Sequence, residues 1–348
     1  MTEERAYAAA GVDLIARRGF AAGLPGILAR TRRPEVLSDA GPFSGLFRLG
    51  DGYKEPVLAA SADGIGTKVK LQMAANRLDL CGPDILGHSV NDLLACGAQP
   101  LFFLDYIAGN GLTTEQKTSI VTGVADACAA AGCALLGGET ADMPDVYAKG
   151  EFDLAGFIVG VVERDAIIDG SKVADGDVMI GIPGSGLHTN GFSLARPALN
   201  VANGESTDET RRRLDERPGI LNGESVGEAL LKTHVPYNRL IAPVMAKIHG
   251  IAHITGGGYV ENVPRILPDG LNAIFDTRAW PVLPIFRLIQ QRGEINPEEM
   301  YEVFNMGLGL VLMVDKRDAD EVLAAVPGSL RVGAITASGT KRVELRGL

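Results

Sequence analysis

Long apolar runs are missing from this chain: none approaches the ~20 residues that a membrane-spanning helix requires. Cysteine is scarce, at four residues, and Cys81, Cys96, Cys128 and Cys133 form no Cys-x-x-Cys and have no matching histidine pair. That disfavours zinc, and their apolar neighbours suit reduced thiols acting as small hydrophobes. Aromatic residues make up 5% of the chain, so packing must rest on Leu, Val, Ile and Ala. Positive charge is in deficit too, and a net charge of −10 leaves no electrostatic footprint for a nucleic-acid partner. The cluster Arg30-Thr31-Arg32-Arg33 is short and bounded by Pro34-Glu35; Arg211-Arg212-Arg213 lies among Glu209, Asp215 and Glu216, as on a solvated helix face. No Gly-x-Ser-x-Gly elbow, reactive-cysteine context or His-Glu-x-x-His occurs, which disfavours covalent acyl chemistry. The opening Met1-Thr2-Glu3-Glu4-Arg5 leads into no apolar stretch of the signal-peptide kind, and we expect a cytoplasmic protein.

What is present describes a two-domain enzyme. A length of 348 residues is long for one core, and 46% hydrophobic with 22% charged residues fits a globular chain. The 44 glycines follow no short period and gather beside acids, Thr and Asn, as where backbone approaches a ligand. From residue 56 strands and helices alternate. Strands are expected over 56–61, 100–107, 134–136 and 153–163, and helices over 68–77, 85–96 and 113–131, the last opened by the capping sequence Thr113-Thr114-Glu115-Gln116. The polar, turn-rich Asp169–Asp177 segment marks the boundary between domains 1–170 and 171–348. The second half restarts with a strand at 178–182, followed by a helix over 235–248 and late strands at 272–275 and 308–314.

Asp63-Gly64-Ile65-Gly66-Thr67-Lys68 follows the first strand and joins an acid, two glycines and a Thr-Lys pair. Magnesium takes oxygen ligands, and phosphate takes approachable N–H groups and a cation. The spacing is not that of a Walker A loop, and the same residues would also make a plain glycine turn with a solvated lysine. Asp63, Asp105 and Glu139 lie at strand ends, and Asn91-Asp92 adds a further pair. Carboxylates gathered at one end of a sheet repel one another unless a divalent cation holds them, although each alone would equally cap a helix or turn. Gly137 and Gly138, before Glu139-Thr140-Ala141-Asp142, let backbone pass close to a ligand or form a tight turn. In the second half, Gly184–Gly191 offers His188, Thr189 and Asn190 on a flexible loop, suited to phosphate or to surface exposure. Thr255-Gly256-Gly257-Gly258 before Tyr259-Val260-Glu261-Asn262 reads as a glycine-rich helix entry that grips an anion, or as a flexible turn.

In this order the motifs resemble the phosphoribosylformylglycinamidine cyclo-ligase (aminoimidazole ribonucleotide synthetase) family of purine biosynthesis, over nearly the whole chain. Further carriers are Tyr7 with Ala10-Gly11-Val12-Asp13, Thr31-Arg32-Arg33-Pro34-Glu35-Val36, Pro100–Tyr106 and Phe304-Asn305-Met306-Gly307. The resemblance implies an α/β (α+β) two-domain fold: an N-terminal sheet that joins a partner's in a homodimer barrel, and a C-terminal α/β domain. It implies ATP and Mg2+ as cofactors and a small ribonucleotide as substrate, with ring closure of formylglycinamidine ribonucleotide releasing ADP and phosphate. By motif match, Asp63, Asp92 and Glu139 are expected to hold magnesium. Gly64, Gly66, Thr67, Lys68, Asn91, Gly137 and Gly138 are expected to contact ATP. His188, Thr189, Asn190, Gly256, Gly257 and Gly258 are expected to face phosphate, with Lys68, His188 and Asn190 as catalytic groups.

The chain departs from the family pattern at His88 and Ser89, where apolar or small residues are usual, in the loop Pro183–Leu187, and at Met306, often Cys. Related folds supply the rivals, chiefly a thiamine-monophosphate kinase. A selenophosphate synthetase would carry a reactive cysteine before Cys81, and the hydrogenase-maturation dehydratase would end in one. A regulatory nucleotide binder without turnover is disfavoured by the acids, Lys68 and His188.

Overall fold

A computed structural model describes residues 14–39, 43–338 and 342–348, so the Tyr7 and Ala10–Asp13 positions lie outside the described residues. The chain forms two compact units. One holds the described residues up to Leu93 with Gln99–Glu163; the other holds Leu94–Ala98 with Arg164–Leu348.

The first unit is built on a four-stranded sheet in the order β1-β4-β2-β3, where β1 is Pro56–Gly64, β2 Gln99–Gly109, β3 Ala134–Asp142 and β4 Phe152–Glu163. β4 runs antiparallel to β1 and β2, whereas β2 and β3 are parallel and joined through a helix, as a parallel pair requires. Helices α1 (Leu14–Leu28), α2 (Cys81–Ala95) and α3 (Thr114–Ala131) belong to this unit, α2 ending in the second unit's segment. The capping box expected at Thr113 is formed: its hydroxyl accepts from Gln116 N while the Gln116 side chain takes the Thr113 N–H.

Strand alternation separates the sheet's two faces. Val57, Ala59, Ser61 and Asp63 of β1 and Leu101, Phe103, Asp105 and Ile107 of β2 point to the covered face. The opposite face keeps apolar side chains in the open, with Leu58 62% and Phe157 44% exposed. β3 is longer than expected. Gly137 and Gly138 do not turn the chain but continue the strand, paired with Leu104 and Asp105. A Cβ at Gly138 would lie 1.8 Å from Asp105 Oδ1, so glycine there makes room for a neighbouring carboxylate.

The second unit carries a six-stranded sheet in the order β10-β7-β9-β5-β8-β6, with β5 Val178–Pro183, β6 Ile248–His253, β7 Asn272–Asp276, β8 Leu308–Val314, β9 Leu330–Thr336 and β10 Val343–Arg346. β8 is wholly buried between β5 and β6, and Ile180, Ile182, Leu310 and Leu312 anchor the core of this unit with Ile251 and Val322. The helix expected over 235–248 is interrupted: Asn238–Ile241 is helical, Ala242–Lys247 tightens into a 3-10 turn, and Ile248 already begins β6. Pro243 explains the break, since it brings no N–H to an α-helical ladder. Among the described residues no helix is long and apolar enough to cross a membrane.

Candidate active site

The covered face of the first sheet gathers its chemistry in one row. The register aligns Asp63 on β1 with Gly156 on β4, Gly156 with Asp105 on β2, and Asp105 with Gly138 on β3. Two acids therefore alternate with two glycines across the sheet. Any side chain at Gly156 would strike Phe103 and Ile85, at 2.3 and 2.8 Å from its Cβ.

Helix α2 lays a second line of polar groups beside this row. Asp84, His88 and Asp92 recur at every fourth position and so share a helix face. His88 Nε2 meets Asp63 Oδ2 at 2.6 Å and stands 3.8 Å from Asp92 Oδ2. The Gly64 N–H donates to Asp63 Oδ1 at 2.7 Å, and Ser61 Oγ donates to Asp92 Oδ2 at 2.9 Å. Burial works against the Asp63 carboxylate, but the His88 hydrogen bond and charge, with the Gly64 N–H, outweigh it and lower its pKa. Burial likewise opposes the His88 imidazolium, and the carboxylates of Asp63, Asp92 and Asp84 reverse that, raising its pKa. Two carboxylates thus face one imidazole, each steadied by a further hydrogen bond, and oxygen and nitrogen donors are the kinds of group that divalent cations take.

The other expected residues fall into separate surroundings. Gly64, Gly66 and Thr67 are exposed at the turn after β1, and Gly66 adopts a positive φ of 68° that suits glycine. Lys68 is wholly buried, and its ammonium reaches Asp84 at 2.8 Å instead of projecting from the turn. Gln72 completes that cluster by donating to Asp84 Oδ2 at 2.7 Å. Asn91 is buried on α2. Glu139 does not join Asp63 and Asp92: β1 and β3 are opposite edges of the sheet, three strand spacings or about 14 Å apart. With Gly137, Gly138 and Asp105 it lines a cavity of about 190 Å3 under α1, beside the Lys117–Asp142 ion pair (2.6 Å). Asp105 is the buried acid here, its pKa pushed up to about 7 by burial.

In the second unit the His188 loop and the glycine turn are neighbours, since a Cβ at Gly256 would lie 3.5 Å from Asn190 Oδ1. His188, expected to face phosphate or else to lie on the surface, is turned inward. Its ring is buried, stacks on His234 at 4.1 Å between centroids, and its Nε2 accepts from Ser185 N at 3.2 Å. Thr189 Oγ1 meets His234 Nδ1, and His234 Nε2 meets His253 Nε2, each at 3.1 Å. Asn262 fixes the glycine turn by donating to the carbonyls of Gly256 and Gly258. Gly257 sits at φ 87°, and a Cβ at Gly258 would meet Tyr301 O at 1.9 Å, so a larger residue is excluded there. Asp84 and the His234–His253 pair are functional-site neighbours that no sequence motif above includes. The four-residue spacing from Asp84 to Asp92 carries the first signal; pairing of the histidines depends on the folded sheet.

Comparisons with known proteins agree with this architecture. Residues 44–162 match the model of the AIR synthase related protein N-terminal domain, and residues 174–346 match that of its C-terminal domain. The phosphoribosylformylglycinamidine cyclo-ligase of Myxococcus xanthus is 48% identical, covering 92% of each chain. That of Geotalea daltonii is 46% identical over 97% of this chain and 98% of its own. Among solved structures, the thiamine-monophosphate kinase of Stenotrophomonas maltophilia superposes with a TM-score of 0.61 at 19% identity, covering 94% of this chain and 96% of that one. The hydrogenase maturation protein HypE in complex with ATP gives 0.62 at 16%, covering 92% and 89%. At such identities these two share the fold alone. Near-complete similarity at almost half identity settles the family: the chain belongs to the AIR synthase related proteins, among the phosphoribosylformylglycinamidine cyclo-ligases.

Proposed function

We propose that this chain closes the imidazole ring of formylglycinamidine ribonucleotide at the expense of ATP, giving 5-aminoimidazole ribonucleotide, ADP and phosphate in cytoplasmic purine biosynthesis. The observation that carries this reading is similarity at 46% identity along 97% of this chain and 98% of a cyclo-ligase's own length. An amide oxygen is a poor leaving group. Its attack on the terminal phosphorus of ATP expels ADP and leaves an iminophosphate. The neighbouring amidine nitrogen then adds to the same carbon, and the oxygen departs with phosphate. Alignment supplies most of the advantage, because the second step is intramolecular.

Asp63 and Asp92 would hold magnesium, and the Gly64 N–H and the Ser61 hydroxyl that orient them support this reading. A divalent ion bound there would draw negative charge off the triphosphate as ADP leaves. Gly64, Gly66 and Thr67 offer an exposed turn directly after Asp63 for the phosphates, and Asn91 precedes Asp92 on α2. Lys68 is neutralised by Asp84, so we assign it to tying this turn to α2 rather than to touching a phosphate. Glu139, Gly137 and Gly138 border the cavity under α1 and suit a second part of the nucleotide. Asn190 and the turn Gly256–Gly258 suit the substrate's phosphate, with His188 and Thr189 shaping their loop from within. The open apolar face carrying Leu58 and Phe157 supports a homodimer in which two such sheets cover each other.

Phosphate release from ATP, followed with and without formylglycinamidine ribonucleotide, tests the function. Release that depends on the ribonucleotide is expected; release that ignores it contradicts the assignment.

A further inference from the structure

We propose that His88 is itself a ligand of the divalent ion, so that this chain binds it through one imidazole and two carboxylates and favours a first-row transition ion such as Mn2+ over Mg2+. The inference rests on the assignment of Asp63 and Asp92 as ligands made above. His88 is 7% exposed and lies against both acids. Burying an imidazole at that position is costly unless it meets partners, and the partners it meets are these carboxylates. One ring nitrogen, Nε2, faces both: 2.6 Å to Asp63 Oδ2 and 3.8 Å to Asp92 Oδ2.

Neighbouring ligands of an octahedral ion with bonds of about 2.1 Å stand about 3 Å apart. From Nε2 the Asp63 oxygen must recede by about 0.4 Å and the Asp92 oxygen approach by about 0.8 Å. The remaining oxygen of Asp63 is already occupied by Gly64 N, so Oδ2 is the atom aimed at the ion. The Asp92 oxygen nearest His88 is likewise held in place by Ser61 Oγ. Mg2+ prefers an all-oxygen shell, whereas imidazole nitrogen suits transition ions, so adding His88 to the set moves selectivity toward the latter. If His88 merely steers Asp63 by a hydrogen bond, the shell stays all-oxygen.

The test uses the full chain with Mn2+ and a non-hydrolysable ATP analogue, read by pulsed electron paramagnetic resonance. Binding by His88 predicts a 14N coupling of directly bound imidazole that disappears in His88→Gln, with Mn2+ affinity down at least about tenfold and Mg2+ affinity changed far less. Circular dichroism verifies that the variant folds. Mn2+ bound without nitrogen coupling, or with coupling that persists in His88→Gln, overturns the inference and leaves the carboxylate assignment standing. Mn2+ that is not bound at all, or is bound equally well by Asp92→Asn, overturns the carboxylate assignment and this inference with it.

Discussion

Asp105 lies beneath the glycine of the next strand, where burial raises its pKa to about 7. In an unfolded chain the same group titrates near 3.9. Between those values the folded state keeps a proton that the unfolded state has lost, so stability falls as pH rises from about 4 to 7. A shift of roughly three units at 1.36 kcal/mol each bounds the effect at about 4 kcal/mol. Asp105→Asn should remove this slope and raise stability at pH 8, measured by urea unfolding across that range; an unchanged slope would refute the burial account. At this scale the sequence reveals which atoms can bind an ion and not which ones face outward. Asp63 and Asp92 stand out in the sequence as acids beside glycine or asparagine, and the fold brings both to His88. The burial of Lys68 and His188 is not legible in the sequence because their partners, Asp84 and His234, are brought in by packing.

Elements meet the site through close backbone approach. Gly82 near the start of α2 and Gly123 of α3 mark one crossing: a Cβ at Gly82 would fall 2.0 Å from Gly123 C and Val124 N. Gly82→Ala gains helix propensity of up to about 1 kcal/mol. Because the obstruction is backbone, the strain should exceed that gain and leave a net loss of about 2 kcal/mol, seen as a lower urea midpoint. An unchanged midpoint would show that the helices can separate cheaply. The same reasoning explains why β3 is misjudged from sequence. A Gly-Gly pair ordinarily signals a turn, yet here β2 supplies the pairing that keeps it extended, and Asp105 fills the space above Gly138. The helix over 235–248 fails for a local reason that is readable, Pro243. Strands β6, β9 and β10 escape because short edge or internal strands carry little periodicity of their own.

At the scale of the whole molecule, the proposed dimer follows from a sheet with one covered and one open face. Alternation of Leu58 and Ala60 against Ser61 and Asp63 along β1 makes the two faces visible in sequence, but the exposure of Leu58 and Phe157 on the second is read only from the fold. Sedimentation should give a dimer for the native chain and a monomer for Leu58→Glu combined with Phe157→Glu. A dimer that survives both charges would place the interface elsewhere.

The ring-closure account is tested most directly by following one oxygen atom. Substrate labelled with 18O at its formyl amide, turned over with unlabelled ATP, should deliver the label to inorganic phosphate, one labelled phosphate and one ADP for each imidazole formed. Label recovered in water, or phosphate formed without it, would contradict transfer of the phosphoryl group to that oxygen.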